Sequence, residues 1–150
     1  MSIWRSSSLL VVMAAFAQAW PVLADMDACI HQAARRYQVD ERLIHAIIQV
    51  ESSGNPSALN RNTNGSQDIG LMQINSSWLP VLGRYGIQQH HLYDPCTNVH
   101  VGAWVLAGNI ARYGATWRAV GAYNARSHVK RKAYVAKVWR RYRTTKEVES

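Results

Sequence analysis

The stretch DERLIHAIIQVESS, Asp40 to Ser53, constrains this chain most, because it sets a carboxylate among the apolar residues of a short helix. Asp40 is a good N-cap and Glu41 a favourable first-turn charge. Leu43, Ile44, Ile47, Ile48 and Val50 recur at helical spacing, and Gly54-Asn55-Pro56 stops the helix. Glu51 follows Ile47 by one turn and Ile44 by two, so it projects from the apolar stripe rather than the wet side. Partial burial and the negative end of the helix dipole both disfavour its ionised form. Its pKa should therefore rise toward the range of a general acid near neutral pH. A Glu at a helix end is more often a solvated terminal residue, so the rest of the chain has to decide.

At 150 residues the chain fits one domain with one core. Lys and Arg number 17 against 9 Asp and Glu, a net charge of +8, which favours acidic polymers or surfaces. Residues 1–24 read as an export signal: Arg5, an apolar run from Leu9 to Ala19, then Val22-Leu23-Ala24 before the expected cut. A cut after Ala19, at Ala17-Gln18-Ala19, is the alternative. About 11 apolar residues fall short of the roughly 20 that span a bilayer, and no later segment is longer, so stable membrane insertion is not expected. Residues 25–143 then form the domain and 144–150 a polar tail. Cys29 and Cys96 are the only cysteines. In an oxidising compartment they most simply pair, and closing a loop of about 68 residues stabilises by about 4 kcal/mol in the chain-entropy model. No Cys and His at zinc spacing appear, so neither a metal nor another cofactor is expected.

A first helix is expected from about Asp27 through Tyr37. Asn55 to Asp68 is polar and turn-rich, a loop or minimal β-hairpin with a reversal at Asn64-Gly65. A helix should begin near Ser76 or Ser77, tolerate Pro80 in its first turn and end at Gly83 and Gly86. Asp94-Pro95 starts a small-residue helix that runs past Ile110 to a stop at Gly114. Trp117 to Asn124 is a short apolar segment. Ser127 should cap the last helix, with Tyr134, Val135, Val138, Trp139 and Tyr142 on its inner face. No convincing strand alternation appears, and the fold class is mostly α.

Four motifs follow in order: Glu51-Ser52, GLMQIN at 70–75, AYN at 122–124, and Tyr134 within YVAKV. Together they resemble the soluble lytic transglycosylase family, lysozyme-like enzymes that cut the glycan strands of bacterial peptidoglycan. With the export signal, small size and cysteine pair, the chain is most similar to the small transglycosylases that accompany secretion and conjugation machines. The resemblance implies a lysozyme-like α-helical domain in the periplasm, acting as a monomer on peptidoglycan, with secretion or conjugation machinery proteins as further partners. It implies that Glu51 is the single catalytic acid and base, the muramic acid 6-hydroxyl replacing a second carboxylate. Gly70, Leu71, Met72 and Gln73 would line the sugar site, Gly70 by close backbone approach and Met72 by an apolar surface. From the residues alone, Leu71 and Ile74 read as core. Tyr123 and Asn124 would face the cleft, Tyr134 would hydrogen-bond Glu51, and Ser52 would help orient the acid. Arg126 stands where the family usually has Gly, which bears on the contacts of Asn124.

Three rival readings differ in class. A hydrolysing lysozyme would use Asp68 to position water, and a non-catalytic peptidoglycan-binding factor would keep the cleft without the chemistry. A nucleic-acid binder would use the nine basic residues between Arg126 and Lys146, interleaved with aromatics. Export argues against the last, and no nucleic acid is expected as a partner.

Overall fold

The computed structural model describes residues 20–124 and 128–148, with side chains described for 26–124 and 128–144. Most of the signal segment, Arg126 and the Ser127 cap therefore lie outside the described residues. The architecture is mostly helical and lysozyme-like, with α1 (Trp20–Tyr37), α2 (Glu41–Glu51), α3 (Leu79–Leu82), α4 (Pro95–Tyr113), α5 (Trp117–Asn124) and α6 (His128–Val148). Between α2 and α3 lies a small antiparallel sheet of β1 (Leu59–Arg61), β2 (Gln67–Ile69) and β3 (Ile74–Asn75).

Central helix α4 packs against α1 on one side and α5 on the other, while α6 lies along α2. The small residues of α4 allow this closeness. A Cβ on Gly102 would lie 2.3 Å from the Met72 sulfur, so only glycine admits the turn that follows β2. Asp94 caps α4 by accepting from the Thr97 N–H at 2.8 Å, with Pro95 in the first turn, and Gly114 follows at φ 74°. Cys29 and Cys96 are bonded, tying α1 to the start of α4 across a sequence separation of 67.

The structure differs from expectation at several points. Helix α1 is already helical at Trp20, where the described residues begin, upstream of the expected start near Asp27. The expected hairpin is present, with Leu59 opposite Ile69 and Gly65 at φ 83°, but β3 adds a third strand too short to show alternation in sequence. Asn75, not Ser76 or Ser77, caps the next turn by accepting from the Ser77 N–H. That segment is a 3₁₀ turn, the four-residue α3 and a second 3₁₀ turn closed by Gly86 at φ 75°. A third 3₁₀ segment, Gln89–Tyr93, was not anticipated. On α6, Tyr134 and Val138 are buried as expected, whereas Trp139 is 43% exposed, because it packs edge-on against Trp117 at the rim of α5 instead of beneath it.

Reducing the disulfide, or replacing both cysteines by Ser, should lower unfolding free energy by about 4 kcal/mol through loop closure alone. Urea melts with and without reductant measure it.

Candidate active site

Glu51 closes α2, whose apolar face of Ile44, Ile47 and Ile48 is buried. Its carboxylate faces a cleft of about 890 Å³ between the sheet and α5, lined among others by Asn62, Asp68, Gln73, Trp78, Tyr123 and Asn124. Asn124 Nδ2 donates to Glu51 Oε1 at 3.3 Å and lies 3.5 Å from Oε2. Burial pushes the Glu51 pKa from 4.5 up to about 7; nearby Asp68 adds to the rise, while Tyr134, Asn124 and Lys137 oppose it. The result is a carboxyl that holds or releases its proton near neutrality.

Tyr134 stands beside Glu51, as expected. Its buried hydroxyl hydrogen-bonds the Glu51 carboxyl and favours the charged form, a contact looser than the strict geometry of the other hydrogen bonds among the described residues. Burial and the Glu51 charge hold its pKa well above the usual tyrosine value, so it stays an O–H donor aimed at the acid. Asn124 is the second donor to Glu51.

The GLMQ turn is built from the far side of the molecule. Asn98, fully buried on α4, accepts from the Met72 N–H at 2.8 Å and donates to the Ile69 and Leu92 carbonyls at 2.8 and 2.7 Å. Gly70 is at φ 76°, and a Cβ there would lie 2.2 Å from Asn98 Nδ2, so glycine admits this staple. Leu71 and Met72 are also fully buried, Met72 beneath Gly102, and neither offers the cleft a side chain. What the turn presents is Gln73, held at φ 50°, a conformation that non-glycine residues adopt at a cost. Gln73 Nε2 donates to the Gly70 and Ala58 carbonyls, leaving Oε1 as the group it can offer. Tyr123 lines the cleft and donates to the Met72 carbonyl at 2.9 Å, locking the turn against α5. The Ser52 hydroxyl donates back to the Ile48 carbonyl at 3.3 Å.

Sequence reading missed two features. Asn98 is one; it stands one turn before Gly102 on the buried side of α4, a polar residue in an apolar stripe, the same signal that marked Glu51. The other is a polar cage around Asp68. Asn75 and Asn62 donate to its two oxygens at 2.7 and 2.9 Å, and Asn60 lies at 3.4 Å. Asn60 and Asn62 lie in the turn-rich loop and Asn75 ends the GLMQIN motif. No group of three or more His, Cys, Asp or Glu is placed to hold a metal among the described residues.

The sequence matches the family model described as the transglycosylase SLT domain over residues 28–144. This chain belongs to the transglycosylase SLT family. Relatives include the Salmonella typhi "Invasion protein IagB", 42% identical over 127 residues, covering 81% of this chain and 79% of that protein. "Protein IpgF" of Shigella flexneri is 40% identical over 119 residues, covering 76% and 78%. "X polypeptide" of Escherichia coli K12 is 40% identical over 121 residues, covering 76% and 72%. The X-ray structure of an inactive mutant of the lytic transglycosylase Slt from Pseudomonas aeruginosa superimposes with a TM-score of 0.63 over 77% of this chain, at 22% identity. This SLT chain spans 23% of that larger protein, and the likeness establishes the fold.

Two outcomes follow from the electrostatics. The folded Glu51 pKa of about 7 exceeds the unfolded value near 4.5, so the native state binds the extra proton between them. Its contribution to stability is complete below that window and lost as pH rises through 7, by on the order of 3 kcal/mol. Glu51→Gln should therefore be more stable than the parent at pH 8 and equal to it at pH 4, as read by urea unfolding. Tyr134→Phe should fold normally and raise the Glu51 pKa further, as followed by carboxyl carbon NMR titration.

Proposed function

We propose that this chain is a peptidoglycan lytic transglycosylase in which Glu51 is the only catalytic side chain. The observation that carries the reading is a half-buried carboxyl, poised near pH 7, on the floor of a polar cleft. Protonated, Glu51 donates to the oxygen linking N-acetylmuramic acid to N-acetylglucosamine, and the C1–O bond breaks. The muramic 6-hydroxyl attacks C1, and its proton passes to the Glu51 carboxylate as the 1,6-anhydro ring closes. No water is consumed and Glu51 returns to its starting state. A group that gives and then takes a proton works best with a pKa near the ambient pH, and burial supplies that value. Asn124 steadies the carboxylate and Tyr134 is placed to donate to it once charged, while Gln73 Oε1 can accept from a sugar hydroxyl or acetamide N–H.

A second reading has one observation in its favour. Asp68 faces the same cleft, its carboxylate held by Asn62 and Asn75, and its charge reaches Glu51. A carboxylate so fixed is suited to position water or steady a cationic sugar, which would make the enzyme a hydrolase.

Residues 1–24 serve as an export signal in this proposal, and the site of action is the periplasm. The bonded cysteines fit an oxidising compartment, and no helix among the described residues is long and apolar enough to cross a membrane. The relative named an invasion protein, at 42% identity, supports local wall opening for a secretion machine.

Digestion of purified peptidoglycan, with the fragments weighed, tests the chemistry. Anhydro ends, one water lighter than reducing ends, are expected. Glu51→Gln should lose at least roughly a thousandfold in rate, whereas Asp68→Asn should still yield only anhydro ends. Reducing ends lost in Asp68→Asn would establish the hydrolase, and an undiminished Glu51→Gln would remove Glu51 from the chemistry.

A further inference from the structure

On the face of α5 turned away from the cleft, α5 and α6 enclose a second groove of about 760 Å³ that shares no lining residue with the first among the described residues. Its floor is Gly121, Val135 and Ala136. A Cβ on Gly121 would come within 3.2 Å of Val135, so glycine is what lets the two helices meet closely there. Trp117 and Trp139 form its apolar wall, edge to face at 5.1 Å, and remain 37% and 43% exposed. Paired, partly exposed tryptophans beside an apolar floor are characteristic of binding surfaces.

The rim fixes the ligand's charge. Arg118, Arg131 and Lys132 stand around the groove with His128, and Arg143 lies 5.9 Å over the Trp139 ring. From Pro95 to Lys146 the sequence holds eleven Lys or Arg and no Asp or Glu. The lining offers donors and almost no acceptors. A neutral glycan needs both, as the catalytic cleft provides through its asparagines and Asp68, so a sugar suits this groove poorly. A bilayer surface is flat, whereas this floor is concave. From His128 to Trp139 the groove follows α6 for roughly 16 Å, the length of three helical turns of a bound segment.

We propose that this groove is a docking surface for an acidic segment of a partner protein, which lays carboxylates along the Arg and Lys rim and inserts a bulky apolar side chain between Trp117 and Trp139. Docking there is independent of the chemistry at Glu51.

The test titrates the full exported chain with a synthetic twelve-residue peptide of Glu carrying Leu at helical spacing, with the same peptide bearing Lys for Glu, and with phosphatidylglycerol vesicles. The acidic peptide should shift the indole N–H signals of Trp117 and Trp139, with affinity falling as salt rises. Trp139→Ala and Lys132→Glu should each weaken binding at least tenfold while digesting peptidoglycan within twofold of the parent. Retained digestion certifies the fold of each variant, and Lys132→Glu, an exposed change, serves alone if Trp139→Ala does not fold. Indole signals unmoved by millimolar acidic peptide, equal binding of the Lys peptide, or capture by the vesicles in preference to the peptide would overturn the proposal.

Discussion

A carboxylate withdrawn from water must be met by donors or take up a proton, and Glu51 does some of each. Its donors come from afar: Asn124 lies 73 residues further along the chain, at the end of α5, and Tyr134 reaches it from α6. Placing those two beside Glu51 requires α6 to lie along α2 and α5 to pack on α4, which is the packing observed. At the other end of α2 the same alignment is held by Asp40, which caps the helix and accepts from the Tyr142 hydroxyl at 2.6 Å, while Arg42 stacks over the Tyr142 ring. The geometry around one acid is thus supported at both ends of the helix that carries it.

The opposite wall of the cleft depends on Asn98. A turn that must hold Gln73 in a left-handed conformation is unstable by itself, and its backbone groups would be unsatisfied against an apolar helix. Asn98 takes one N–H and two carbonyls at once, and the Tyr123 hydroxyl takes the Met72 carbonyl. Gly70 and Gly102 clear the space this requires. The buried side chains of Leu71 and Met72 therefore serve the cleft by fixing where Gln73 stands, one residue further on.

Much of this was legible in the sequence because the signals were local. A capped amphipathic helix ending in Glu51, the Asp94-Pro95 start and Gly114 stop of α4, and the Asn64-Gly65 reversal each follow from a few neighbouring residues. Features that depended on distant partners were not. Whether Trp139 faces in or out is decided by how far α5 extends over α6, and the roles of Asn60, Asn62 and Asn75 by where β2 sets Asp68. Met72 read as a contact surface because its burial is caused by Gly102, thirty residues away. Tyr134 lies beside Glu51, as its place in the last motif implied.

The wide separation of Glu51 from its donors has a consequence for synthesis. Ribosomes release the chain from its N-terminus, so α2 emerges well before α5 and α6 exist. Until then the apolar stripe around Glu51 lacks the helix that covers it, and its carboxyl meets water as an ordinary acid. The proton-holding state is a property of the finished fold and is absent from any copy that lacks α5 and α6.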